Sequence, residues 1–180
     1  TPTAAINARK ASRTYDNRNR LLTLAFPDSN GNQTWTYTPD GLPSTVSTNN
    51  ITGGVSNAVT NGYTYNKRRL LTGESMKPDT VQLGWGIGYG YNGLAQVVSE
   101  AYPASVSVNY TVNALGQTTQ VTASSDGGAA TTIASSATYF PNGALKQFTY
   151  GNGIVHTMTQ NARQLPSQSV DGTILNLTTT

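Results

Sequence analysis

His156 is the one histidine of the chain, and imidazole is the side chain that most readily exchanges a proton near neutral pH. It stands in Gly153-Ile154-Val155-His156-Thr157-Met158, an alternating run that places it on a strand. A Ser-His-Asp relay would need a serine and an aspartate brought to it by the fold. The sequence offers neither a GxSxG nucleophile elbow nor the His-rich spacing of a metal site. His156 therefore reads as an ordinary strand residue. The acids are scattered, and Asp28, Asp40, Asp79, Asp126 and Asp171 lie beside Pro or Gly or in loops. Paired carboxylates of the glycosidase type have no support in that spacing. The expectation is a chain that is not an enzyme, with no catalytic residue, no cofactor and no metal.

Other patterns point to binding chemistry. Gly88, Gly90 and Gly93 satisfy G-x-G-x-x-G, which between a strand and a helix cradles a pyrophosphate. The following AQVVSEAYPAS is short and ends at Pro103, so no helix is expected there. The alternation of Gly with Trp85, Ile87, Tyr89 and Tyr91 instead describes a strand whose glycine face lies close to another strand. Arg9, Lys10, Arg13, Arg18 and Arg20 make the first twenty residues the most basic part of the chain. A net charge of +3 and the lack of an RNA- or DNA-binding motif favour a solvated face over a nucleic-acid patch. Lys67-Arg68-Arg69 reads in the same way, as charge at a hairpin tip. Trp35, Trp85 and the tyrosines are candidate stacking platforms for a carbohydrate or a cell-surface partner. An aromatic stripe of period two is more often used in packing between repeats.

The elements that must position all of these are hairpins. In Thr34 to Val46, TWTYTPDGLPSTV, Trp35 and Tyr37 alternate with threonines, giving one aromatic and one hydroxyl face. Asp40-Gly41 then supplies a tight turn, because Gly accepts the positive φ such turns demand. With Tyr37 at position 0, Gly41 at +4 and Val46 at +9, the frame recurs from Tyr15, Tyr65, Tyr89, Val112, Tyr139 and Met158. Gly returns at +4 as Gly93, Gly116 and Gly143, whereas Asn19, Arg69 and Ala162 hold that place elsewhere. The seven starts are about 24 residues apart, a period of stacked supersecondary units.

On these residues the chain resembles the RHS-repeat family. Tyr15-Asp16 within TYDNRNRLLTL, the pair FPDSNGNQTWTYTPDGLPSTV from Phe26 to Val46, and FTYGNGIVHTMTQNARQL from Phe148 to Leu165 are similar to its YD repeats. The family includes shell components of bacterial toxin complexes and, more distantly, the teneurins. The resemblance runs from about Arg13 to Val170. It departs from the pattern in that only Tyr15 is followed by Asp, and the Arg that often follows the turn survives only as Arg20 and Arg163. It implies an all-β fold of tandem antiparallel hairpins coiled into a spiral sheet, an arc of a hollow shell. It implies a structural role, enclosing a toxic polypeptide before secretion or delivery from a bacterium. The partners would be the rest of its own chain, the encapsulated toxin and secretion or receptor-binding components. Self-cleavage at the end of such shells requires Asp-Pro, and this chain has only Pro-Asp, so that activity is not carried over.

Composition fits strand and turn: Gly is 18 and Tyr 10 of 180 residues, and charged residues are only 11%. There is no Cys, so redox compartment is not legible. No apolar run is long enough to span a bilayer, and TPTAAINARK has no signal-peptide core. Residues 1–12 are expected to be a polar lead-in, 13–170 an array of about seven hairpins, and 171–180 the start of a further strand or a truncated tail, in a fragment of a longer chain. The turn-rich segments Ser47 to Gly62 and Ser124 to Ser136 read as loops, and Ser75 to Thr80 as a linker. The N-x-S/T sites at Asn32, Asn50, Asn109 and Asn176 matter only in a eukaryotic secreted protein.

Overall fold

A computed structural model describes residues 10–78 and 84–179 of the chain. Most of the expected lead-in, Arg9 included, and Asp79 lie outside the described residues. Among the described residues there is no helix, and the strands are β1 (Ser12–Tyr15), β2 (Leu21–Ala25), β3 (Gln33–Tyr37), β4 (Pro43–Thr52), β5 (Val55–Tyr65), β6 (Leu71–Pro78), β7 (Trp85–Tyr91), β8 (Val97–Tyr102), β9 (Val106–Val112), β10 (Thr118–Ser124), β11 (Thr131–Tyr139), β12 (Leu145–Tyr150), β13 (Val155–Gln160), β14 (Pro166–Asp171) and β15 (Leu175–Thr178). They are hydrogen-bonded in sequence order, and the registered pairs are antiparallel. The all-β, tandem-hairpin expectation is met. The chain divides into two compact units, Thr1–Gly88 and Tyr89–Thr180.

In the first unit, register sorts the side chains onto two unlike faces. Trp35 stands opposite Val46, Val46 opposite Asn61, Asn61 opposite Met76, and Met76 opposite Trp85. The reverse face carries Thr36 opposite Thr45, Thr45 opposite Gly62, Gly62 opposite Ser75, and Ser75 opposite Gly86. Strand alternation therefore gives a bulky, aromatic face and a face of hydroxyls and glycines. Hydroxyl pairs stitch the second face across strands, with Thr36 and Thr45 Oγ1 2.6 Å apart and Thr14 and Thr23 Oγ1 2.6 Å apart.

The second unit repeats the division. Phe148, His156, Asp171 and Leu175 form one cross-strand row, and Thr149 with Val155 belongs to the other face. Among the described residues no side chain in either unit is fully buried. A sheet normally hides one face against a second layer. Here the described residues supply none, so cohesion rests on backbone ladders, cross-strand pairs and turns.

Three segments differ from the expectation. Ser47 to Gly62 is the long hairpin of β4 and β5, closed at Gly53-Gly54 with φ of 58° and 78°. Two adjacent glycines supply the pair of positive φ values that a two-residue hairpin turn uses. The alternation of Ser, Thr, Asn and Val outweighs the low complexity that suggested a loop. Ser75 to Pro78 is the end of β6, with Lys77 opposite Thr60 and Pro78 opposite Val59. Between Ser124 and Ser136 only the tip turns, at Asp126 and Gly127, while Thr131 already begins β11.

Candidate functional site

The recurring feature is a turn built eight times among the described residues, at 16–20, 38–42, 66–70, 92–96, 113–117, 140–144, 150–154 and 161–165. In each, the first residue's N–H donates to the carbonyl of the fifth and its own carbonyl accepts from the fourth. At Asn113 these bonds are 2.9 Å to Gln117 and 2.9 Å from Gly116. The Asn113 Oδ1 also accepts from the Leu115 and Gln117 N–H groups, both at 3.0 Å. Asp16, Asn66, Asn92 and Asn161 do the same. Thr38 substitutes its hydroxyl, 3.0 Å from Leu42 N. A short acceptor side chain at the first position thus satisfies donors that the tight turn would otherwise leave open.

The fourth residue of each turn is left-handed: Asn19, Gly41, Arg69, Ala95, Gly116, Gly143, Gly153 and Gln164. Tyr15, Tyr37, Tyr65, Val112 and Tyr139 directly precede their turns, and Asp16, Gly41, Gly116 and Gly143 lie within them. Two copies are shifted by two residues. Tyr91 rather than Tyr89 precedes the turn capped by Asn92, so Ala95 is left-handed at φ 65° and Gly93 is not. Gln160 rather than Met158 precedes the last, capped by Asn161, and Gln164 rather than Ala162 takes the positive φ. The physical reason is the same in both: the Asn side chain, not the Gly or the aromatic, fixes where the chain folds back. The turn at 150–154 is an eighth, joining β12 to β13, which the sequence frame passed over; Asn152-Gly153 is its signal.

The repeat tyrosine reaches the preceding hairpin. Tyr37 Oη donates to the Leu21 carbonyl at 2.7 Å, and Tyr139 Oη to the Thr118 carbonyl at 2.6 Å. Leu21 and Thr118 stand at the same place in their own repeats. These rings therefore tie one hairpin to the next. Arg20 adds a further link in the first unit, its guanidinium 4.2 Å from the centre of the Tyr37 ring and its Nη2 2.6 Å from Asp16 Oδ2. Hydrogen bonds from the Arg20 backbone, then its side chain, hold the Asp16 carboxyl below the usual range against the opposing effect of burial. Arg20 Nη1 is buried without a hydrogen-bond partner among the described residues, and a Cβ on Gly41 would lie 3.4 Å from it.

His156 lies on β13 as expected, and the fold gives it partners the sequence did not show. Its Nδ1 is 2.6 Å from Asp171 Oδ1, and its ring is 4.9 Å from that of Phe148. Burial, the charge of Asp171 and a hydrogen bond to it together raise the Tyr150 phenol above its ordinary range. A second carboxylate, Glu100, accepts from the phenols of Tyr102 and Tyr110. In both clusters every polar atom named is engaged by a neighbour. The His156–Asp171 bond clasps β13 to β14, and the Tyr110–Glu100 bond clasps β9 to β8. Gly86 and Gly90 are strand residues, where an added Cβ would meet Glu74 O at 3.3 Å and Ser99 Oγ at 2.1 Å. The glycine face of β7 is thus filled by its neighbours and offers no phosphate cradle. Trp35 is half-buried, while Trp85 is 59% exposed.

No family model matches the sequence, and no curated protein matches it. Solved structures do match the fold. The structure of TcdB2-TccC3 without its hypervariable C-terminal region aligns over 92% of this chain with a TM-score of 0.59 and 11% identity. The Photorhabdus luminescens Tc holotoxin pore carrying the TccC3 D651A mutation gives the same coverage, TM-score and identity. A TcdB2-TccC3-Cdc42 structure aligns over 92% with a TM-score of 0.58 and 12% identity. This chain spans about a tenth of the length of those solved chains, 10% in each case.

Proposed function

We propose that this chain is a structural YD-repeat segment of an RHS-type toxin shell, one that encloses a toxic polypeptide before delivery. The observation that carries the reading is the match of nearly the whole chain to a tenth of the Tc toxin chains. The sheet's own chemistry supports it. Tyr37 and Tyr139 tie their hairpins to the preceding ones, and the ladder joins consecutive strands, which supports a unit made to be extended. A face of hydroxyls and glycines carries little apolar surface, which suits a wall that must not hold its cargo. Twist coils such a sheet as hairpins accumulate. The role is structural, and in it the His156–Asp171 bond holds β13 to β14. Its partners are the remainder of its own polypeptide and the enclosed toxin, and its place is outside the bacterium that makes it.

Exposed Trp85 favours a second reading, a glycan or cell-surface platform. Negative-stain electron microscopy of the full-length protein separates the two. A hollow particle with density inside is expected. A solid rod or an open, empty solenoid would overturn the shell and turn attention to glycan binding and its loss in Trp85→Ala.

A further inference from the structure

We propose that Asn92 is a self-modifying site: among the Asn-Gly pairs of the chain, the fold singles it out for spontaneous deamidation to an aspartyl or isoaspartyl residue. Asn-Gly occurs five times, at 30–31, 61–62, 92–93, 142–143 and 152–153. In such a pair the glycine amide nitrogen can attack the asparagine Cγ, and glycine has no Cβ to obstruct the approach. Four of these nucleophiles are tied down. Gly31 N donates to the Asn49 carbonyl at 2.6 Å, Gly143 N to that of Phe140 at 2.9 Å and Gly153 N to that of Tyr150 at 2.9 Å. Asn61-Gly62 lies inside β5, paired with β4 and β6. Gly93 is exposed, has no heavy atom within 4 Å of an added Cβ, and its N–H has no bonded partner among the described residues. The shifted hairpin explains the difference. Gly93 is the second residue of its turn, whereas Gly143 and Gly153 are the fourth of theirs and donate back to the first.

The same turn prepares the electrophile. Asn92 Oδ1 accepts from Leu94 N at 2.9 Å and from Gln96 N at 3.1 Å, and Nδ2 donates to Gln96 Oε1 at 2.6 Å. Oδ1 is the atom that takes up negative charge as the Gly93 nitrogen adds to Cγ, and two fixed backbone donors already face it. Among the described residues, Asn30, Asn142 and Asn152 receive one backbone N–H each at Oδ1, from Ile51, Ala144 and Ile154. The step is intramolecular and needs only water as co-reactant. The Gly93 nitrogen gives its proton to solvent and bonds to Cγ; the Cγ–Nδ2 bond breaks, and Nδ2 takes up a proton and leaves as ammonia. Water then opens the succinimide at either carbonyl. One opening leaves an aspartyl residue after Tyr91, a Tyr-Asp pair like Tyr15-Asp16, with its capping oxygen kept. The other inserts a methylene into the backbone and undoes the turn. Asn113 has the same cap, its Oδ1 3.0 Å from both Leu115 N and Gln117 N, but Ala114 follows it and its Cβ crowds the attack.

Peptide mapping by mass spectrometry of the full-length protein, held folded at mildly alkaline pH, follows each Asn-Gly peptide as NH is exchanged for O. Asn92 is expected to deamidate at least about ten-fold faster than Asn30, Asn61, Asn142 and Asn152. In urea, where the five pairs share only their sequence, the rates should converge. Gly93→Ala should silence Asn92 with the far-ultraviolet circular dichroism unchanged. Ala114→Gly adds the unobstructed nucleophile to an existing cap, so Asn113 should rise to the rate of Asn92. Equal rates at the five pairs in the folded protein, a fastest rate at any pair other than Asn92, or a spread that persists in urea would each overturn the proposal. So would an Ala114→Gly variant whose Asn113 reacts no faster than Asn142.

Discussion

Gly93 and Gly143 both follow an Asn, yet the structure assigns them opposite roles, and replacing each by Ala tests the turn geometry directly. Gly143 sits at φ +85° with no heavy atom within 4 Å of an added Cβ, so the substitution meets no clash and isolates the backbone term. Left-handed backbone costs an L-residue about 1–2 kcal/mol. The lost freedom of the unfolded chain returns about 0.4–1 kcal/mol. The net expectation for Gly143→Ala is a destabilisation of about 1 kcal/mol. Gly93 also has open space around it but no left-handed φ, so only the second contribution remains and Gly93→Ala should stabilise by about 0.4–1 kcal/mol. Both lie in the Tyr89–Thr180 unit, so they report on the same unfolding transition. Urea unfolding followed by far-ultraviolet circular dichroism should separate the variants by about 1.5 kcal/mol. Ala95→Gly, which relieves a φ of 65° in the Gly93 hairpin, should move stability in the same direction as Gly93→Ala. If Gly93→Ala destabilises as much as Gly143→Ala, the left-handed residue is at Gly93, the frame starts from Tyr89, and the capping role given to Asn92 is refuted.

Tyr139→Phe keeps the ring and removes the bond to the Thr118 carbonyl, so a loss of about 1 kcal/mol is expected in the same unfolding assay, with faster amide exchange in β10 and β11. Asn113→Ala leaves the Leu115 and Gln117 N–H groups without their acceptor and should cost about 1 kcal/mol, while Asn113→Asp, which keeps the oxygen, should cost less. The Asp16 carboxyl is held below its ordinary value of 3.8, so its contribution is present above that pH and is lost as pH falls through the lower folded value. A carboxyl-resolved NMR titration should show Asp16 protonating below its ordinary value of 3.8, and Asp16→Asn should remove that acid-side loss of stability.

Much of this was legible because a hairpin writes its signature locally. The Thr-Trp-Thr-Tyr alternation, the Asp40-Gly41 turn and the aromatic spacing each act within a few residues, and β3 with β4 follows from them. The same locality misled at Tyr89-Gly90-Tyr91, where two tyrosines two residues apart are equally good strand residues. Only the hydrogen bonds of Asn92 choose between them. The turn at 150–154 was passed over because Tyr150 occupies the capping position without a capping side chain, and Asn152 supplies the acceptor from within the turn. The pairing of His156 with Asp171 was out of reach for another reason. It depends on the register of β13 against β14, which the intervening turn sets and no periodicity announces.

Strand order that follows sequence order also has a kinetic side. Every registered pair joins consecutive strands, so forming one requires closing only the short connection between them, a small entropic barrier each time. A ladder of this kind can start at any hairpin and zip outward. A polypeptide leaving the ribosome N-terminus first would dock each hairpin on a template already in place, with Tyr37 and Tyr139 latching once the strand before them has set. Growth would then keep pace with synthesis, with the most recently made strand always serving as the template for the next.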